Sequence, residues 1–340
     1  MTMRVPDFDN LRRILDRKCP ERPTLFEFFL NQPLYEKLAG EKFSTWENET
    51  DRNRILIEAF KNAGYDYATI HPPRDMGFKV NDYEHEQSIS LNAFNSITDR
   101  ESFNRYEWPD ADKCDYSIYD QLAKDLPSGM KAIVCGPGGV LENVIRLTGY
   151  DNMCLMTIEN TELLKDIFDR IGAALVRHYE IASQFDAVGA LISNDDWGFN
   201  SQTMLSPADF ETYLFPWHRK IVAACHKAGK PVILHSCGNL REIIDVIIDD
   251  IGYDGKHSYE DKIQPVEDAY EQYHSRIAIM GGIDLDFVCR KTPDEVYQRA
   301  KNMVERSAKR GAYALGTGNS VPEYTPDVNY FAMTRAALEG

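Results

Sequence analysis

Residues 231–237, PVILHSC, form a short apolar run that closes on three reactive side chains, His235, Ser236 and Cys237. A run this short, with no polar alternation, predicts a strand covered on both faces, as in a parallel sheet under helices. Runs of the same kind recur at Pro23 to Phe29 (PTLFEFF), Tyr65 to His71 (YDYATIH), Lys131 to Gly136 (KAIVCG), Ala187 to Asn194 (AVGALISN), Tyr253 to Ser258 (YDGKHS), Ile277 to Ile283 (IAIMGGI) and Ala312 to Thr317 (AYALGT). Patterns of helical period fill the intervals Thr161 to Phe185, Pro207 to Ala228, Leu240 to Asp249, Pro293 to Lys309 and Val328 to Leu338. Ser206-Pro207 and Thr292-Pro293 place a hydroxyl cap before a proline at the first helical position. Eight strand candidates in 340 residues, with no dinucleotide fingerprint, predict an α/β fold of the (β/α)8 (TIM) barrel type. A doubly wound sheet is the alternative. One domain is expected over residues 1–340, with an N-terminal helical extension over 1–22. An insertion after the second strand, over 74–109, resists a simple βα reading and is expected to form an excursion or lid.

Charge and cysteine usage bound the function. Thirty-eight basic against 54 acidic side chains leave a net charge of −16, with no basic cluster, so a phosphate backbone would be repelled and nucleic acid is excluded as a partner. No apolar run approaches the roughly 18 residues of a membrane span, and the N-terminus has no apolar stretch before its first charges. A cytoplasmic protein without membrane association is therefore expected. Seven scattered cysteines without CxxC spacing fit a reducing compartment, with thiols kept for packing or ligation.

In a barrel the reacting groups gather where strands end. Those positions carry Glu27, His71, Cys135-Gly136-Pro137, Asn194-Asp195-Asp196-Trp197, His235-Ser236-Cys237-Gly238, His257-Ser258-Tyr259-Glu260-Asp261, Asp284 and Thr317-Gly318-Asn319-Ser320. His235 and Cys237 stand two apart, so one strand face can offer imidazole nitrogen and thiolate sulfur to one ion, a donor pair suited to zinc. A core cysteine beside a hydrogen-bonded histidine is the other reading of an isolated HxC. Of the adjacent Asp195 and Asp196, one faces the cavity and the other caps a helix or pairs; we assign the catalytic role to Asp195. Glu260 lies close enough in sequence to His257 to join a metal shell, with a solvated loop charge as its alternative. Asp284 is either a helix cap or a site residue. Cys135-Gly136-Pro137-Gly138-Gly139 lacks the spacing and lysine of a phosphate loop and is read as a tight turn.

The segments from Asn194-Asp195-Asp196-Trp197-Gly198 to Leu205-Ser206-Pro207, then Leu234-His235-Ser236-Cys237-Gly238-Asn239, Gly281-Gly282-Ile283-Asp284 and Gly316-Thr317-Gly318-Asn319-Ser320-Val321-Pro322 resemble, in order and spacing, the uroporphyrinogen decarboxylase superfamily. Decarboxylases of that superfamily carry an Arg-Gln-Ala-Gly-Arg-Tyr stretch after the first strand, whose arginines hold propionates. Here the place reads Leu25-Phe26-Glu27-Phe28-Phe29-Leu30, which cannot bind a polyanion. The corrinoid-dependent methyltransferase branch uses a His-x-Cys pair as zinc ligands, and His235 and Cys237 match it. Members that methylate a thiol add a cysteine beyond the eighth strand, where this chain has Thr317-Gly318-Asn319. The resemblance therefore requires a different third ligand, assigned to Glu260, with His257, Asp195 and Asp284 as the other candidates. The Thr-Gly-Asn-Ser-Val-Pro form is similar to members that take a methyl group from an ether, an O-demethylase-like activity.

What the resemblance implies is a zinc-assisted methyltransferase that moves a methyl group from a small methylated donor to the Co(I) corrinoid of a partner protein. The chain has no Asp-x-His-x-x-Gly context to hold a corrinoid itself. On this reading Asp195, His257 and Asp284 are catalytic, and His71, Trp197, Phe199, Tyr259 and Asn319 bind the donor. A decarboxylase of a smaller acid and a non-catalytic ligand-binding barrel are the alternatives, and a homodimer stays open.

Overall fold

The computed structural model describes residues 4–43, 48–80, 90–92 and 95–339. Seven parallel strands follow one another in chain order: β1 (Tyr67–Ile70), β2 (Lys131–Cys135), β3 (Val188–Asn194), β4 (Val232–His235), β5 (Gly255–His257), β6 (Ala278–Met280) and β7 (Tyr313–Ala314). Their apolar residues, such as Ile133, Val134, Leu191, Ile192, Ile233 and Ile279, are buried, as expected of strands covered on both faces. The eighth position lies between β7 and β1 and is held by Thr24 to Glu27. Leu25 bridges Leu315 in parallel, and Phe26 N donates to Leu315 O at 2.8 Å. On its other side the Tyr67 hydroxyl accepts from Glu27 N at 2.7 Å and donates to Glu27 O at 2.6 Å. A phenol thus replaces the ladder next to β1, so the first expected strand is reduced to a bridge. The fold is the expected α/β barrel.

Helices Thr161–Ala182, Pro293–Ser307 and Asp327–Leu338 follow the expected helical patterns. Ser206 and Thr292 both cap as their sequence suggests, Ser206 Oγ accepting from Asp209 N and Thr292 Oγ1 from Glu295 N. The helix after β3 is interrupted by a π-helical turn, Phe210–Leu214, just before Pro216. Proline has no N–H to return to the carbonyl four residues back and its ring crowds that carbonyl, so the ladder widens ahead of it. The expected helix Leu240 to Asp249 is instead a turn leading into a π-helical segment, Val246–Ile251.

The N-terminal segment closes the bottom of the barrel. Helix Asp9–Leu15 buries Leu11, Ile14 and Leu15. Its flanks bond to the starts of strands, Phe8 N to Gly129 O at 2.8 Å and Asp7 N to Asp66 Oδ1 at 2.8 Å. Of the expected excursion over 74–109, residues 81–89 and 93–94 lie outside the described residues. Its described parts lean on the outer helices: Ile97 N donates to Leu147 O and Tyr150 N to Leu91 O. No helix among the described residues is long and apolar enough to cross a membrane.

Candidate metal centre

Strand register brings the reactive side chains together. Asn194, His235 and His257 are lateral partners on β3, β4 and β5, so their side chains share one face of the sheet. Two residues on, the same parity puts Asp196 beside Cys237. Asp196, His235 and Cys237 each offer one ligand atom, and these atoms lie within 4.8 Å of one another. Among the described residues no other trio of His, Cys, Asp or Glu does so.

Hydrogen bonds then decide which histidine nitrogen is bare. Thr317 O is a carbonyl and only accepts, so His257 Nε2, 3.0 Å away, carries the proton. Burial holds His257 neutral, its pKa lowered to about 3, so its Nδ1 is an acceptor. His235 Nδ1 lies 2.8 Å from that atom and must therefore donate. Burial, with His257 and Lys256 adding to it, holds the His235 pKa well below the usual range, so the ring is neutral and its Nε2 keeps a lone pair. That Nε2 faces Cys237 Sγ at 3.8 Å. Nitrogen and sulfur on one tetrahedral zinc would stand about 3.6 Å apart, from bond lengths near 2.0 and 2.3 Å.

The acids of the trio are also set for a cation. Burial, and then the neighbouring Asp196, pushes the Cys237 thiol up to about 12. Burial also raises Asp196, against the bond its Oδ1 accepts from Cys237 N at 2.8 Å. Two acidic groups whose pKa values burial raises, beside a bare imidazole nitrogen, fit a zinc ion, which would offset that desolvation. Asn194 Oδ1, buried on the same face, has no protein partner. Around the sulfur, Asn319 Nδ2 donates to Cys237 Sγ at 3.3 Å and Ser258 Oγ at 3.6 Å. The wall above the trio is aromatic. The rings of His235 and Phe28 are 4.7 Å apart, Phe28 and Phe29 4.0 Å, and Phe29 stacks on His71 at 4.7 Å and 4°. A cavity of about 520 Å³ continues from there, lined by Phe29, Tyr35, Phe43, Leu56, His71 and Arg52.

Several expected site residues lie elsewhere. Asp195 turns outward: its carboxylate accepts from Leu141 N at 3.0 Å and Glu142 N at 2.9 Å, capping helix Val140–Thr148, and meets His218 Nε2 at 3.0 Å. The place beside His235 and Cys237 belongs to Asp196, and not to Asp195, expected as the cavity-facing acid, or to Glu260, expected as the third ligand. Glu260 stands in the loop after β5, where its carbonyl accepts from Ile263 N and Gln264 N. Asp284 caps helix Leu285–Arg290 through Phe287 N at 2.8 Å and also accepts from Asp261 N at 2.9 Å. Trp197 shares the outward parity of Asp195 and packs its buried indole on His218, Phe210 and Phe215. Tyr259 is buried with the Lys256 ammonium 4.4 Å from its ring centre, in the layer outside β5. Phe199 packs on Tyr150 in the loop after β3. His257 holds His235 from behind. Asp196, Asn194, Ser258, Phe28 and Phe29 were not among the expected site residues; strand parity from Asn194 was the available signal for Asp196.

Residues 55–339 match the uroporphyrinogen decarboxylase (URO-D) family. Comparison with curated proteins returns no match. Among solved structures, a methyltransferase from Methanosarcina mazei superposes with a TM-score of 0.71 at 15% identity, covering 97% of each chain. A GH5_18 protein from Streptomyces cattleya reaches 0.45 at 11% identity, over 93% of this chain and 80% of that one. An endo-1,4-beta-xylanase from Caldicellulosiruptor owensensis reaches 0.42 at 10% identity, over 82% of this chain and 92% of that one. With the family matched over most of its length and the barrel in place, the chain belongs to the uroporphyrinogen decarboxylase (URO-D) family.

Proposed function

We propose that this protein is a methyltransferase that moves a methyl group from a small methylated donor of the aryl ether type to the Co(I) corrinoid of a partner protein, with zinc held by Asp196, His235 and Cys237. The observation that carries the reading is the trio itself: nitrogen, sulfur and carboxylate oxygen within 4.8 Å at the ends of β3 and β4. The wall where decarboxylase arginines would stand supports it too, because there Phe28 and Phe29 present rings to His235 and His71, and Glu27 is buried.

When bound, zinc supplies a Lewis acid that draws electron density from the oxygen to be released. The chain's own residues orient and exclude. His235 presents Nε2 because His257 takes its Nδ1 proton in a hydrogen bond. Asn319 and Ser258 aim the sulfur, and the Cys237 N–H steadies Asp196. Phe28, Phe29 and His71 offer flat apolar surface for an aromatic donor and keep water from the released oxygen. The partner's corrinoid would approach from the C-terminal face of the barrel.

Two measurements test this reading. Purified protein should contain about one zinc per chain, lost on His235→Ala, Cys237→Ala and Asp196→Ala. Mixed with a Co(I) corrinoid protein and methoxylated aromatics, methylamines, betaines or methyl thiols, it should produce the methyl-Co(III) spectrum with the ethers. Turnover of a carboxylic acid to carbon dioxide without metal would replace this reading with decarboxylation. Tight ligand binding without any methyl transfer would replace it with a binding barrel.

A further inference from the structure

Glu27 is fully buried, yet among the described residues no cation bonds to it. Its Oε1 accepts from Thr317 N at 2.8 Å, and its Oε2 lies 2.5 Å from Thr317 Oγ1. The same Thr317 hydroxyl also reaches Asn319 O. A hydroxyl has one proton, and a backbone carbonyl can only accept. Thr317 therefore donates to Asn319 O, and the bond to Oε2 is complete only if Glu27 supplies the proton. Both residues that Glu27 thereby holds lead to the trio. The Thr317 carbonyl accepts from His257, which takes the His235 proton. The Asn319 amide donates to Cys237 Sγ. Gly316 makes the approach feasible, since a Cβ there would fall 1.7 Å from Phe26 O.

We propose that Glu27, as a neutral carboxylic acid, is a positioning residue that sets both the tautomer of His235 and the orientation of Cys237 through Thr317. The inference rests on the reading of Asp196, His235 and Cys237 as a metal centre. It separates Glu27 from a buried acid that merely fills space, because breaking its bond to Thr317 should weaken zinc binding, and from an ionised one, because a neutral isostere should replace it in full.

The test uses full-length protein with Glu27→Gln, Glu27→Ala and Thr317→Val, read by chelator competition for zinc and by nitrogen-15 histidine shifts of the metal-free protein. Metal-free wild type and Glu27→Gln should both show His235 protonated at Nδ1 and bare at Nε2, with zinc affinities within about threefold of each other. Glu27→Ala and Thr317→Val should bind zinc about 10- to 100-fold more weakly, the range for losing an outer-shell partner. If Glu27→Ala does not fold, Thr317→Val carries the loss and Glu27→Gln the rescue. The proposal is overturned if Glu27→Gln is as weak as Glu27→Ala or Thr317→Val, if neither of those two weakens binding, or if His235 carries its proton on Nε2. Wild-type protein that takes up no zinc overturns the metal reading alone, and the histidine shifts still decide the role of Glu27.

Discussion

Replacing Glu27 by glutamine removes a titration while keeping the hydrogen bonds, and should make the fold less sensitive to rising pH. Burial raises the Glu27 pKa from 4.5 to about 8, outweighing the bond from Thr317 N, which lowers it. The folded chain therefore holds a proton that the unfolded chain releases above 4.5. A raised folded-state pKa means that this contribution to stability is full below the unfolded pKa and is lost as pH rises through the folded one. Each pH unit in that window costs about 1.4 kcal/mol. At pH 7 the wild type should have lost about 3 kcal/mol relative to Glu27→Gln, and above pH 8 about 5 kcal/mol. That loss is a large share of a typical folding free energy of about 5–15 kcal/mol. Tyr35, Tyr65, Tyr67, Tyr313 and Tyr330, the other titrating groups around Glu27, are pushed further up by burial and stay neutral throughout. Urea unfolding of both metal-free proteins from about pH 5 to about pH 8.5 measures the effect, and the difference between them cancels every other titration. A difference that stays flat across the range, or that widens toward acid, would refute a protonated Glu27.

Asp195→Ala strands two helix N–H groups and His218, and should cost about 3 kcal/mol or more in denaturant unfolding. Zinc content at a permissive temperature should be unchanged, whereas Asp196→Ala should lose the zinc and leave stability nearly intact. Gly238 has φ +86° and a Cβ there would lie 2.1 Å from Gly198 O. Gly238→Ala should therefore lower stability by more than about 2 kcal/mol and weaken zinc binding by shifting Cys237, as a chelator titration would show. Phe29→Ala removes the ring stacked on His71 and should raise KM for an aromatic donor about 2- to 10-fold, with kcat little changed in the methyl-Co(III) assay.

The barrel was legible because seven of the eight apolar runs end up buried on both faces, a property that composition and run length carry without reference to distant partners. The eighth run was misread in detail because the hydroxyl of Tyr67, a side chain 40 positions from Glu27, takes over its backbone bonds. The site divides along the same line. His235 and Cys237 were readable as a pair because they share one strand and a period of two. Asp195 was chosen over Asp196 wrongly for a different reason: parity groups Asn194 with Asp196 and Asp195 with Trp197, but only the register of β3 on β4 says which group faces His235. Had that register slipped by one residue, Asp195 and Trp197 would face the sulfur, and Asp196 would take the helix cap. Glu27 and Thr317 are 290 positions apart, and neither residue type announces a role alone. Glu27 reads as an isolated acid among phenylalanines, a conflict with the apolar pattern around it. Such a residue survives in a core only if it is neutral or paired. Here burial favours the neutral form, which places the one local violation of the strand pattern directly behind the ligands of the candidate metal.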